Sequence, residues 1–331
     1  TTGTTANNGD AASIVFSQGV IFSNLEMIQY HPTTIGIPGK RCLISEAARG
    51  EGGRLYIKKD GKPWYFMEER YPELGNLMPR DVVSREMYFV QQDEALESQV
   101  YLDMTGLSKE TWKNKLPDLR QEIRDYLKLD PAEKPVPVEP GIHYFMGGID
   151  VDMRHHTNIE NLYAAGECCS QYHGANRLGG NSLLGAIYGG MTAADALISD
   201  GGLAGAICDE AEWNAYISGI HQADTSIHAA NEIIEQTADI LYQALGIVRD
   251  ERTMKNALNE ISKLISENQD QPNNLPRLYL AKAMLLSALE RKESRGAHYR
   301  KDFPERNARY QRTIKIQCEA RRDTSWFIHC E

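Results

Sequence analysis

Apolar positions fall at helical spacing over Ala11–Gly19, and a strand-like run, Leu25–Tyr30, follows and ends at His31-Pro32. Between about residues 36 and 140 the pattern is mixed. Alternation predicts strands at Arg54–Lys58 and Val100–Met104, and Asp60-Gly61 makes a good hairpin turn. Helical spacing follows Asp81 and again Trp112. This segment closes on Pro131 and then Pro135-Val136-Pro137-Val138-Glu139-Pro140. Proline fixes φ and restricts the residue before it, so the stretch reads as a stiff extended connector. From Gly141 to Asp200, glycine-rich turns surround an apolar strand at Asn161–Ala165 and a glycine-punctuated helix from about Asn181 to Ser199. From about Glu210 to Arg291 the period is helical, over Ala229–Leu245, Met254–Ser266 and Leu278–Arg291, as in a small antiparallel bundle. The predicted fold is α/β plus α, without internal repeats.

Composition narrows the partners. The 331 residues suffice for two or three modest cores. A formal charge of -10 leaves no basic surplus for nucleic-acid phosphates. Small acidic substrates stay open, because a site needs only a few local cations. No apolar run reaches the roughly 18 residues of a membrane span, and no signal-peptide pattern opens the chain. Six cysteines occur without a C-x-x-C pair, which argues against zinc or iron–sulfur sites in this chain. Adjacent Cys168 and Cys169 read as buried thiols of a reducing, cytoplasmic compartment.

Five segments are unusual as mere structure: Gln29–Thr33, Ser45–Gly53, Pro79–Arg85, His143–Gly148 and His173–Leu183. Singly each has an ordinary explanation. His31 suits a core histidine at a strand end; Glu46 and Arg49 have the spacing of a helix-surface ion pair; Asp81 suits a helix first turn. Together they place histidines and arginines in glycine-flanked loops. Arginine matches carboxylates bidentately and histidine adds directional donors, so convergence of Arg177, His143 and His31 would suit a small dicarboxylate. The Asn181–Ser199 helix follows Gly179-Gly180, which leaves free N–H groups for an anion or an electron-rich ring.

With QYHPT, SEAARGEGG, PRDVVSR, KPVPVEPGIHYFMGG, AAGEC, HGANRLGGNSLLGA and SRGAHYRKDFPER in this order, the chain resembles the flavoprotein subunits of succinate dehydrogenase and fumarate reductase. These share a superfamily with L-aspartate oxidase. The Leu178–Ser182 and Ser294–Arg306 segments are more similar to the dehydrogenase and reductase form. The resemblance implies a domain order: residues 1–35 a residual part of an FAD-binding domain, 36–140 an inserted α+β capping domain, 141–200 the second lobe of the FAD-binding domain, and 201–331 a helical domain. It implies fumarate–succinate interconversion, with hydride transfer at flavin N5.

Roles follow position by position. Arg80 resembles the family's proton-transferring arginine, with Glu46 and Arg49 as its relay. His31, Ser45, His143 and Arg177 are similar to the groups that grip the substrate carboxylates. Asp10, Glu167, Ser182 and Leu183 match positions that touch FAD. An iron–sulfur subunit and a membrane anchor are implied as partners at the cytoplasmic face, or other donors in soluble members. The alternatives are L-aspartate oxidation or a non-catalytic dicarboxylate-binding module. Two departures stand out. No G-x-G-x-x-G follows a strand, so the expectation is a chain lacking the N-terminal FAD-anchoring half, inactive and weak in FAD binding alone. Tyr310–Glu331 does not follow the family cleanly, although Trp326 and His329 resemble a Trp…His pair found there.

Overall fold

The computed structural model describes residues 1–4, 7–201, 211, 214, 227–271, 273–320 and 326–330. Two antiparallel sheets organise it. The larger contains β2 (Ile28–Ile37), β3 (Lys40–Leu43), β4 (Arg54–Lys59), β5 (Lys62–Trp64), β6 (Val100–Asp103) and β7 (Val136–Phe145) in the order β3-β2-β7-β6-β4-β5. The smaller runs β10-β9-β1-β8, from β1 (Phe22–Ser23), β8 (Gly148–Ile149), β9 (Lys315–Ala320) and β10 (Trp326–Cys330). Seven helices are interleaved with these strands: α1 (Asp10–Ser17), α2 (Ala47–Gly50), α3 (Phe66–Arg70), α4 (Arg80–Gln91), α5 (Lys109–Asn114), α6 (Pro117–Leu127) and α7 (Asn181–Ser199).

The larger sheet and helices α2 to α6 enclose one core, with Leu55, Ile57, Val100, Leu102, Val136 and Val138 packed under Val83 and Met87. Those last two lie four residues apart on α4, so one helical stripe covers the sheet. A second core joins α1 to the helices Ile227–Ala244, Glu251–Glu267 and Leu275–Glu290. In the Glu251–Glu267 helix, Met254, Ala257, Ile261, Leu264 and Ile265 form the buried stripe. Asp250 caps it by accepting the Thr253 N–H at 2.9 Å. The expected helical stretch from Glu210 to residue 226, and Cys208, lie outside the described residues except for positions 211 and 214.

Several expectations change. The proline-rich "connector" is the first half of β7, a central strand. Val136–Val138 pair only with β6, and the residues from Glu139 onward pair only with β2. Each half therefore keeps one open side where a missing N–H costs no ladder bond. The strand expected to stop at His31-Pro32 continues to Ile37, because the register shifts between His31 and Thr34 and this bulge absorbs Pro32. Asn161–Ala165 is not a strand. Tyr163 makes a single bridge to His156, and the chain then turns through Gly166–Cys168. That turn aims adjacent thiols apart: Cys169 is buried beside Tyr172, while Cys168 is exposed. The end of the chain, expected within the helical part, forms β9 and β10, and β9 pairs with β1. The side chains of Trp326 and His329 lie outside the description.

Candidate active site at the junction of β2, β7 and α4

Five elements deliver charged groups to one cleft. β2 is buried from Ile28 through Ile35, which takes Gln29 and His31 out of water. The short helix α2 starts after Ser45, whose Oγ accepts the Ala47 N–H at 3.3 Å. Pro79, extended and ahead of the first helical residue, stops α4 from growing backwards and sets Arg80 at its first position. β7 carries His143 and Tyr144, and the 173–180 turn brings Arg177.

Arg80 is the hub. Its Nε and Nη2 donate to Glu46 Oε2 at 3.3 and 2.9 Å, and its Nη1 donates to Gln29 Oε1 at 3.2 Å. Glu46 Oε1 accepts from Arg49 Nη2 at 2.8 Å, and Arg49 Nη1 also donates to the Asn76 carbonyl. The predicted surface pair is thus part of a chain, Arg80–Glu46–Arg49, with two buried guanidiniums and a partly exposed carboxylate. The 177–180 turn closes on it: a Cβ at Gly179 would lie 2.1 Å from Glu46 Oε2 and would displace that carboxylate from Arg80. Arg177 lies over the Tyr144 ring, 4.4 Å from its centroid, a cation–π contact. The His31 and His143 rings meet edge to face at 5.2 Å.

Electrostatics follow from this crowding. Burial, then the Arg80, His143 and Arg49 charges, hold His31 well below its ordinary pKa. Burial, then Arg80 and Arg177, bring His143 down to about 4. Both rings are neutral at pH 7. Burial followed by Arg80 lowers Arg177, and burial likewise lowers Arg49. Burial raises the Glu46 carboxyl, but Arg80 and Arg49 outweigh it and keep it ionised. Three guanidiniums face the Glu46 carboxylate, with Glu167 acting on Arg177 as well, so positive charge is in excess.

The donors left over point to what is missing. His31 Nε2, Arg49 Nε and Arg177 Nε are buried and without a hydrogen-bond partner. His31 Nδ1 lies 3.3 Å from the Thr33 N–H and 3.2 Å from the Thr33 carbonyl; in the tautomer whose Nδ1 accepts the N–H, the ring proton sits on the orphaned Nε2. His143 Nδ1 meets the Thr2 hydroxyl at 2.8 Å; when that hydroxyl donates, Nε2–H is free. Buried unpaired donors are costly and few in folded proteins. Such groups call for partners that the chain itself does not supply.

Of the expected residues, His31, Glu46, Arg49, Arg80, His143 and Arg177 converge. Ser45, just ahead of α2, is exposed, and its Oγ accepts only the Ala47 N–H. Glu167 is exposed, and its Oε1 accepts the Phe145 N–H at 3.0 Å. Ser182 and Leu183 stand in the first turn of α7, where no side chain caps the free N–H groups. Asp10 pairs with Arg277 of the Leu275–Glu290 helix. Gln29 and Asn176 sit within the motifs but had no role assigned to them, and nothing in the sequence points to Thr2. Among the described residues no His/Cys/Asp/Glu group could hold a metal, and no helix is long and apolar enough to cross a membrane.

A family model described as an FAD binding domain matches residues 1–183, and one described as the fumarate reductase flavoprotein C-terminus matches residues 275–330. The second match includes the C-terminal stretch that departs from the family's motifs. The succinate dehydrogenase flavoprotein subunit of Bacillus subtilis is 40% identical over 91% of this chain and 56% of its own length. An L-aspartate oxidase of Pyrococcus horikoshii is 34% identical over 92% of this chain and 57% of its own. A chain of E. coli quinol fumarate reductase superposes on all of this chain and 62% of its own, with TM-score 0.82 and 30% identity. The chain spans a little over half the length of the curated relatives it matches. It belongs to the FAD-dependent flavoprotein family of succinate dehydrogenase and fumarate reductase.

Proposed function

We propose that this site interconverts fumarate and succinate, with Arg80 passing the proton. The observation that carries the reading is the set of buried, unpartnered donors beside a guanidinium already tied to a carboxylate relay. Arg177, His31 and His143 donate to the two carboxylates, and the positive excess favours a dianion. Ser45, one residue from the relay, is available to one carboxylate. Arg80 gives an N–H proton to the olefinic carbon, and Glu46 with Arg49 returns a proton to it. An arginine is a competent acid only when its proton is quickly restored, because its ordinary pKa exceeds 12. Neutral histidines are well suited here, since they donate without adding charge that would oppose protonation of Arg80.

The edge of the cleft fits FAD. The uncapped first turn of α7 offers N–H groups to an anion, and Leu178, Leu183 and Leu184 are exposed apolar surface. Glu167, Ser182 and Leu183 would hold the cofactor, whereas Asp10 would first have to leave Arg277. FAD, when bound, supplies hydride chemistry. The same proposal includes the domain order implied by the resemblance and a whole enzyme larger than this chain. It also includes docking to an iron–sulfur subunit and anchor at the cytoplasmic membrane face.

In the FAD-loaded enzyme, Arg80→Gln is expected to lower fumarate turnover about 10²–10⁴-fold. Malonate binding, followed by calorimetry, should change less than tenfold. Turnover within threefold of wild type would remove Arg80 from the chemistry. The P. horikoshii relative favours a second reading, aspartate oxidation. Side-by-side turnover of aspartate and succinate separates the two.

A further inference from the structure

Behind the charged cleft lies a ring of side chains that no charge in it explains. Gln29 is fully buried. Its Nε2 donates to the Arg177 carbonyl at 2.7 Å and to Asn176 Oδ1 at 2.9 Å. With both N–H groups committed, its Oε1 must face Arg80, whose Nη1 donates to it. Asn176 Nδ2 in turn donates to Asp81 Oδ1 at 2.7 Å. Arg80 and Asp81 are neighbours at the start of α4, so the ring closes: Arg80, Gln29, Asn176, Asp81.

We infer that Gln29 and Asn176 are positioning residues that set which N–H groups of Arg80 face the substrate and lock that orientation to the loop bearing Arg177. This rests on the dicarboxylate reading of the site. A guanidinium has five N–H bonds. Glu46 takes one on Nε and one on Nη2, and Gln29 takes one on Nη1. One N–H on Nη1 and one on Nη2 remain, and proton transfer is confined to them. An amide can fill this place where a carboxylate cannot. Glutamate at position 29 would lose both donations to the 176–177 backbone and side chain, and would add a buried negative charge beside the Arg80 guanidinium. Asn176 is needed with both ends, its oxygen to orient Gln29 and its nitrogen to hold Asp81. The loop is supported from outside too: Ala297 N donates to the Ala175 carbonyl at 2.9 Å, and a Cβ at Gly296 would lie 2.3 Å from that oxygen.

The test uses the FAD-loaded enzyme with pH profiles of kcat and kcat/KM for succinate oxidation. Asn176→Ala is expected to lower kcat about tenfold or more with KM changed less than threefold. Gln29→Glu is expected to move the ascending limb of the kcat profile to higher pH, because the added carboxylate holds protons in the site. Flavin absorbance and thermal unfolding check that each variant folds; should one fail, the other still decides. Equal losses in kcat at every pH, with KM raised in proportion, would show ordinary structural damage and overturn the assignment. So would a kcat within twofold of wild type and an unmoved limb in either variant. A wild-type enzyme that turns over no dicarboxylate would instead sink the reading of the site itself.

Discussion

Two buried clusters of charge lie in this molecule, and they differ in what they leave undone. The cleft cluster has Arg49, Arg80 and Arg177 around Glu46, with His31 and His143 beside them. The other has Arg249, Arg291 and Arg300 with Glu26, Glu293 and His298, all at or below 1% exposure. Both hold a histidine far below its ordinary pKa through burial first and arginine charge next. In the second cluster every arginine nitrogen has an acceptor. Arg291 Nε donates to Glu26 at 2.6 Å, its Nη1 to Glu293 and the Tyr310 carbonyl, and its Nη2 to Asn24 and the Arg312 carbonyl. Arg249 is as fully engaged, including His298 Nδ1 at 2.8 Å. The cleft cluster keeps three buried nitrogen atoms without partners. Satisfied buried charge fixes a joint, here between β1, β2 and the helical part. Unsatisfied buried charge waits for a ligand.

That contrast breaks most sharply at Arg291. Arg291→Met leaves Glu26 and Glu293 buried against less positive charge, and should cost about 3–5 kcal/mol of stability. Urea unfolding measures it; a loss under 1 kcal/mol would mean that satisfaction of hydrogen bonds says nothing about structural weight. Arg177→Met should behave in the opposite sense. It removes a desolvated charge whose Nε has no partner, so stability is expected to hold or rise. Fumarate or malonate affinity should fall roughly 10–100-fold, the about 1.5–3 kcal/mol of a charge-assisted hydrogen bond. Calorimetry and unfolding on the same variant settle both halves.

The sequence made the two clusters unequally visible. Glu46, Arg49, His143 and Arg177 stood out because polar groups sat in glycine-punctuated motifs, and His31 and Arg80 because a proline adjoins each. The α7 bounds were readable for the same reason. Gln29 and Asn176 were inside those motifs but carry no charge, and an amide's role lies in which way it faces. Asp10 read as a cofactor contact, and its Arg277 partner is 267 positions away, beyond any local signal. β7 was missed because proline content outweighs alternation in a linear reading. Whether a strand keeps an open side depends on neighbours that the sequence does not order. Arg249 had no motif at all; burial alone gives it importance.

The two histidines offer a finer separation. His143 ionises at about 4 and His31 well below its ordinary value, while unfolded histidine ionises near 6.5. Between these values the unfolded chain binds protons that the native one does not. Stability therefore falls as pH drops from about 6.5 toward 4, by at most about 1.4 kcal/mol per unit for buried His31 and less for half-buried His143. His298 adds to the same slope. A bound dianion distinguishes them, because it favours the charged ring only where it sits. Malonate should raise the pKa of His31 and His143 in an NMR titration and leave His298 unmoved. A shift of His298 as large as that of His143 would mean that the clusters are electrically one.

The smallest effect belongs to charge that is neither buried nor waiting. Arg54 donates twice to Glu68, at 2.6 Å each, and lies 3.7 Å from the centroid of the Tyr65 ring, yet both partners are exposed by 40% or more. Geometry this good in water still gains little, because both ions keep much of their hydration and the attraction is screened. Arg54→Ala should cost about 0.2–1 kcal/mol and less in 1 M salt, whereas the Arg291→Met loss should barely respond to salt. Equal salt sensitivity in the two variants would put water around Arg291, and with it the claim that its complete hydrogen bonding marks a dry joint would fail.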